Sequence, residues 1–157
     1  MESIDPNLDL VLKREVDVPV ELVWQAWTEP KHVVEWFTPA PWKTTDCRIN
    51  LVPGGEFFTN MLSPDGQSMP NLGCFLEVIP FQRLVFTDTL LPGYRPSANP
   101  FMTAIILFEK KGNGTLYTAI AKHKDSETKS QHESMGFTDG WGTALDQLVT
   151  YAKKNLM

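Results

Sequence analysis

Cysteine is scarce: the 157 residues contain two, Cys47 and Cys74, without CxxC spacing. This argues against a disulfide framework and a zinc ribbon, and leaves two reduced, partly buried thiols as the expectation. Basic charge is in deficit, with 14 Lys and Arg against 19 Asp and Glu and a formal net charge of −5. The chain therefore lacks the positive excess that neutralises a nucleic-acid backbone or an anionic membrane surface, and neither is expected as a partner. Long apolar runs are missing as well. The stretch 102–108 falls far short of the ~20 residues a membrane-spanning helix needs. The first residues carry charges where a signal peptide has its apolar core, so a soluble, cytoplasmic protein is expected.

Chemical signatures are equally sparse. No GxSxG nucleophile turn occurs, and neither cysteine sits in the local context of a catalytic thiol. No GxxxxGK[ST] phosphate loop exists, and Gly112-Asn113-Gly114 reads as a hairpin turn. His123, His132, Cys47 and Cys74 lack HxxxH or CxxC spacing, so no metal site and no cofactor are expected. With no repeat, low-complexity tract or Gly/Ser linker, residues 1–157 read as one domain. At this length roughly 70% of the unfolded surface is buried on folding.

What is present is a clear change of period along the chain. From Leu8 to Asp17, Leu8, Leu10, Leu12, Arg14 and Val16 alternate with Asp9, Val11, Lys13, Glu15 and Asp17, the pattern of a half-buried strand. Pro19 then suits the first turn of a short helix carrying Val23, Trp24, Ala26 and Trp27. Pro30 opens a second, carrying Val33, Val34, Trp36 and Phe37. Strands follow at 44–51, 56–62, 73–79, 84–90, 101–110 and 115–123. Pro53-Gly54-Gly55, Pro64-Asp65-Gly66, Pro80 and Gly112-Asn113-Gly114 separate them as turns, which implies an antiparallel meander.

The segment 126–154 is expected to be one helix, since Phe137, Trp141, Ala144, Leu145, Leu148, Val149 and Ala152 recur at spacings of three and four. Gly136, Gly140 and Gly142 interrupt it. At about 1 kcal/mol each against Ala in a helix interior, they require either a kink or something that comes close. The whole pattern specifies an α+β fold: a curved antiparallel sheet of about six to seven strands around a long C-terminal helix, with two short helices after the first strand. The space between sheet and helix can become a pocket.

Here the residues resemble a known family. Val18-Pro19, the run from Val23 to Pro30, Val34 and Trp36-Phe37 look like the opening of the START/Bet v 1-like (SRPBCC) superfamily. More narrowly, they are similar to the homologues of the activator of Hsp90 ATPase. Gly54-Gly55-Glu56-Phe57, the runs from Gly73 to Pro80 and Arg83 to Thr87, and the final helix with His132-Glu133, Met135-Gly136-Phe137, Gly140-Trp141-Gly142 and Leu145 to Leu148 continue the resemblance in order. Asn50-Leu51-Val52 departs from it, standing where many relatives have an acidic-apolar-Arg triplet. The resemblance implies a helix-grip fold with a cavity between sheet and last helix.

Five Trp and nine Phe in so small a domain supply the cavity-lining candidates Trp36, Trp42, Phe57, Phe75, Phe86, Phe137 and Trp141, with Tyr117 and Leu145 beside them. Strand parity places Asp88 on the face of Phe86, puts Phe75, Glu77 and Ile79 on another shared face, and carries His123 past Tyr117, Ala119 and Ala121, whose small side chains leave space. His32 and His132 are assigned no role. The segment 91–100, holding Arg95, is either a pocket cover or a plain surface loop.

Three readings result. The first is non-catalytic binding of a small hydrophobic or aromatic molecule. The second, from the family name, is a chaperone cofactor acting on an Hsp90-type partner. The third is a cyclase- or hydrolase-like enzyme using Asp88, Glu77 or His123 as acid or base. A homodimer is compatible with all three.

Overall fold

The alternating N-terminal segment forms β1 (Asp9–Val16) in a computed structural model that describes residues 2–157. Leu10 and Leu12 are buried on its inner side while Val11 is exposed. Pro19, at φ −57° and ψ 147°, supplies the extended entry to α1 (Val20–Thr28). Pro30 lies in the first turn of α2 (Pro30–Trp36), where its missing N–H leaves no helical bond unmade.

The meander comprises β2 (Lys43–Ile49), β3 (Glu56–Leu62), β4 (Ser68–Ile79), β5 (Arg83–Thr87), the two-residue strands β6 (Leu90–Leu91) and β7 (Arg95–Pro96), β8 (Thr103–Lys111) and β9 (Gly114–Lys122). Seven strands form one curved sheet in the order β1-β9-β8-β5-β4-β3-β2, antiparallel throughout, while β6 and β7 pair only with each other. This is the expected α+β helix-grip architecture. Two strand limits differ from expectation by three or more residues. β4 reaches back to Ser68 because residues 68–73 complete the ladder with β3, although most of that stretch is exposed. β5 stops at Thr87 because the Asp88 carboxylate turns to bind loop backbone.

The inner face of the sheet carries the main core, including Leu10, Leu12, Tyr117, Ala119, Ala104, Ile106, Phe108, Leu84, Phe86, Phe75 and Phe57. The outer face carries a second, small cluster of Val85, Ile105 and Ile120 with Leu76 and Leu107. A β-bulge corrects the parity expected for β4. Phe75 pairs with Phe86 and the next partner, Val85, faces Glu77, so one extra residue is inserted. Phe75 and Val78 therefore share the inner face, whereas Glu77 lies outside, ion-paired to Arg83. Ala104, Ala119 and Ala121 leave no gap; all three are fully enclosed in the core.

The C-terminal segment is two helices rather than one, α3 (Ser126–Ser134) and α4 (Phe137–Asn155). Asp125 caps α3 by accepting the Thr128 N–H at 2.8 Å. The break is at Gly136, whose φ of +94° lies in the left-handed region that a side-chain-bearing residue resists. Gly142 answers the close-approach expectation, since a Cβ there would lie 2.6 Å from a guanidinium nitrogen of Arg14, which bonds Asp146 at 3.3 Å. Phe137, Ala144, Leu145, Leu148 and Ala152 are buried along α4, which packs on α1, α2, α3 and β1. Among the described residues, no helix is long and apolar enough to cross a membrane.

Gly73 sits at the most crowded strand position, where a Cβ would fall 2.0 Å from the Thr87 carbonyl oxygen. Gly73→Ala is expected to destabilise the protein by about 3 kcal/mol, seen in urea unfolding as a lowered midpoint at unchanged slope. Asp125→Ala, which removes only the cap of α3, is expected to cost about 1 kcal/mol in the same assay.

Candidate functional site

A cavity of about 500 Å³ lies against the inner side of β3, β4 and β5 and beneath the junction of α3 and α4. Its floor follows strand alternation. Phe57, Thr59 and Met61 of β3 stand opposite Gly73, Asn71 and Met69 of β4, and all six line the space. One wall comes from α4, where Phe137, Gly140, Trp141 and Ala144 recur at helical spacing. The facing wall is aromatic, with Trp27, Trp36 and Phe37 brought in by α1 and α2. Phe101 and Met102, just before β8, complete it. Around the mouth, Met69, Leu72 and Met135 are 49%, 37% and 71% exposed, an apolar and flexible rim.

The aromatic wall is held by its own edges and N–H groups. Phe57 meets Phe86 edge-on at 4.8 Å, and Trp27 meets Trp36 at 5.0 Å. The Trp36 indole donates to the Ala26 carbonyl at 3.0 Å, and the Trp27 indole donates to the Tyr117 hydroxyl at 3.1 Å. Burial pushes the Tyr117 phenol well above its ordinary pKa, so it stays protonated with its own hydrogen available to an acceptor.

Among the other polar side chains that border the cavity, Thr59, Asn71, Thr87, Asp88 and His132, the last two are ionisable. Asp88 accepts the Phe101 and Met102 N–H groups on one oxygen, at 2.9 and 3.0 Å. His132 is buried within ring contacts to Phe101, Phe137 and Trp141, with centroids 4.8, 5.2 and 6.0 Å away. Its Nδ1 lies 2.8 Å from Nε2 of His123, whose Nδ1 lies 2.7 Å from the Leu8 carbonyl. Burial, and secondarily the neighbouring His123, push the His132 imidazole down to about 4, so it is neutral at pH 7.

Of the residues singled out from sequence, Trp36, Phe57, Phe86, Asp88, Tyr117, Phe137 and Trp141 border this space. Four do not. Trp42 is half-buried just before β2 and is not part of the cavity lining. Phe75 is fully buried behind Phe57, stacked on it at 5.1 Å and 18°. Leu145 is buried in the core on the neighbouring stripe of α4. His123 is buried too, with both its backbone N–H and its Nδ1 turned to Leu8 at the end of the β1–β9 ladder. His132, given no role from sequence, takes its place at the cavity. His32 lies elsewhere, its Nδ1 2.7 Å from the Tyr151 hydroxyl.

The segment 91–100 is not a cavity cover. Its hairpin folds onto the Gly54 turn, where the Gly93 N–H meets the Gly54 carbonyl at 2.8 Å, and Arg95 is exposed away from the cavity. Met61, Met69 and Thr59 were within reach of sequence reasoning by extending the alternation from Phe57, as was Gly140 from the spacing of Phe137 and Trp141. Trp27, Phe37, Phe101 and Met135 carry no such signal.

The cysteines contribute no chemistry here. Both are buried and free, and burial pushes the Cys47 thiol up to about 12, which keeps it protonated and unreactive. A second depression, about 430 Å³, between the end of β1 and the β8–β9 turn is a charged surface notch bordered by Glu15, Lys111 and Asn113. Among the described residues, no group of three or more His, Cys, Asp or Glu side chains is placed to hold a metal.

A curved antiparallel sheet gripping its C-terminal helix, with an aromatic cavity left between them, defines the Bet v 1-like class of folds. Residues 17–153 match the family described as activator of Hsp90 ATPase homolog 1-like protein, and the chain belongs to that family. A protein of Nitrosomonas europaea, NE0264, is 48% identical over 98% of this chain and 99% of its own, with a TM-score of 0.95. Protein Ms6760 of Mycobacterium smegmatis is similar in fold at 24% identity, covering 94% of this chain and 92% of its own at a TM-score of 0.80. An AHSA1-like protein of Aeromonas hydrophila shares the fold at 23% identity, over 94% and 93% of the two chains, with a TM-score of 0.72. No curated protein matches the chain.

The lowered pKa of His132 makes stability depend on pH. The unfolded chain takes up a proton near pH 6.5 that the folded ring refuses until about pH 4, so stability is full above pH 6.5 and is lost as pH falls toward 4. Relative to His132→Phe, the unfolding free energy of the wild type is expected to fall by about 2 kcal/mol between pH 7 and 4.5. This is less than the whole shift because the cavity side of the ring retains some screening by solvent.

Proposed function

We propose that this protein binds a small, largely apolar, ring-bearing molecule non-covalently in the cavity beneath the α3–α4 junction. The observation that carries this reading is a space of about 500 Å³ whose walls are Phe, Trp and Met side chains, with few polar groups among them. That volume is in the range of small-molecule sites, and the wall composition is the one such sites use. Removing about 200 Å² of apolar ligand surface from water contributes roughly 5 kcal/mol, with the polar groups setting orientation. The exposed Met69 and Met135 at the rim, beside Leu72, suit entry, since the unbranched methionine side chains rearrange at little cost. The two free thiols suit a reducing cytoplasm.

The same geometry weighs against catalysis by the candidates named from sequence. Glu77 is on the outer face of the sheet, His123 is enclosed, and one Asp88 oxygen is committed to two backbone N–H groups.

The test is a panel of naphthalene- and biphenyl-type compounds in thermal shift and tryptophan fluorescence, with native mass spectrometry of freshly purified protein. A ligand present at about 100 times its Kd is expected to raise stability by about 2.7 kcal/mol. Gly140→Leu places a side chain where the nearest atom outside the local chain is Pro39 Cγ at 3.9 Å from the new Cβ, so it fills the cavity without disturbing the core. It is expected to weaken binding by about tenfold or more while leaving the unliganded melting temperature at or above the wild-type value. Absence of any shift across the panel, together with no co-purifying mass, would overturn the proposal. Stimulation of an Hsp90-type ATPase by the same protein would favour a chaperone partner instead.

A further inference from the structure

Two imidazoles stand in series at the cavity, His132 in its lining and His123 behind it, and their hydrogens are dictated from one end. The Leu8 carbonyl can only accept, so the His123 Nδ1 facing it at 2.7 Å carries the hydrogen. With its hydrogen on Nδ1, His123 presents a lone pair at Nε2, and the His132 Nδ1 that meets it at 2.8 Å is the N–H of that bond. The remaining nitrogen, His132 Nε2, is thereby left as a bare acceptor. No group among the described residues hydrogen-bonds it. It is not sealed from solvent, since among the described residues only Ser97 Oγ is both sealed and unpartnered, and its ring borders the open volume. Phe101, Phe137 and Trp141 surround that ring with apolar surface and offer no acceptor that would favour the opposite tautomer.

We infer that the His123–His132 pair gives the cavity a hydrogen-bond acceptor of fixed polarity at His132 Nε2, and that the cavity selects an aromatic ligand bearing a hydroxyl or N–H group over its methylated counterpart. This rests on the cavity being the binding site proposed above. The chemistry is that of a buried acceptor in an apolar wall. A donor on the ligand satisfies it, whereas a methyl ether leaves it stripped of water without a partner. Tyr117 does not duplicate this role, because its oxygen already accepts from Trp27 and its free hydrogen seeks an acceptor. Asp88, Thr59 and Asn71 are the competing acceptors in the lining; one Asp88 oxygen is committed to the Phe101 and Met102 N–H groups and the other is without a protein partner.

The experiment compares 2-naphthol with 2-methoxynaphthalene by calorimetry or fluorescence titration at pH 7, on the wild type, His132→Phe and Asp88→Asn. The wild type is expected to bind the naphthol about tenfold more tightly than the ether. His132→Phe is expected to bring the two within about twofold of each other, and Asp88→Asn to keep the preference. Equal binding of both compounds by the wild type overturns the inference and leaves the cavity proposal standing. Binding of neither overturns both. A preference that survives in His132→Phe and disappears in Asp88→Asn assigns the donor to the carboxylate and overturns the inference too. A readout free of ligand and of variants decides the case if His132→Phe does not fold: long-range proton–nitrogen NMR correlations of the wild type are expected to show hydrogen on Nδ1 of both His123 and His132. Hydrogen on Nε2 of His132 in the free protein would overturn it.

Discussion

Seven strands spaced about 4.8 Å apart make a sheet about 29 Å across, and one helix masks only about 10–12 Å of it. Everything else in the molecule answers that mismatch. α4 lies over the β1 side, where Leu10, Leu12, Ala119 and Ala121 give it a low, well-filled bed. α1 and α2 bring two indoles and a phenylalanine toward the middle of the sheet. Over β3, β4 and β5 no helix packs closely on the strands, and the inward side chains there face an unfilled volume. The Gly136 break turns α3 away from the axis of α4, so that the helical segment roofs this volume instead of running on as a single rod.

The cavity persists because its walls are braced from behind. Phe57 leans on Phe75 on one side and meets Phe86 edge-on on the other, and the indole N–H groups of Trp27 and Trp36 each find a protein acceptor. Rings fixed in this way cannot readily swing inward to close the gap, which is the condition for an apolar space to stay open. The polar groups admitted to the wall are correspondingly few, and Tyr117, Asp88 and His132 each have part of their hydrogen-bonding capacity used by the protein.

Much of the architecture was legible in the residue order. The alternation from Leu8 to Val16, the prolines at 19 and 30, the Gly- and Asn-containing turns and the amphipathic C-terminal run each follow from local physics, and together they specify an antiparallel sheet with a gripping helix. The site was legible only in part. Phe86 with Asp88 followed from strand parity, and Phe137 with Trp141 from helical spacing. Glu77 was misplaced because the bulge at Leu76 and Glu77 shifts parity by one, and a bulge is a relation between two strands that one strand's sequence does not disclose. Trp42, Phe75 and Leu145 have the right chemistry for a wall but sit beside it or one layer behind. Hydrophobicity alone does not distinguish a residue that lines a space from one that supports the lining.

The histidines mark the division most clearly. Sequence alone determined that His123 ends a strand and that His132 lies on a helix, since period and position settle secondary structure within a few residues. Only the tertiary structure decided that the two rings meet, that the Leu8 carbonyl sets the hydrogen on the first, and that the second faces the cavity in its stead. Backbone periodicity arises among near neighbours and can be read along the chain. The polarity of a hydrogen-bonded series is set by whichever group stands at its end, and here that group is 115 residues away from the histidine it binds.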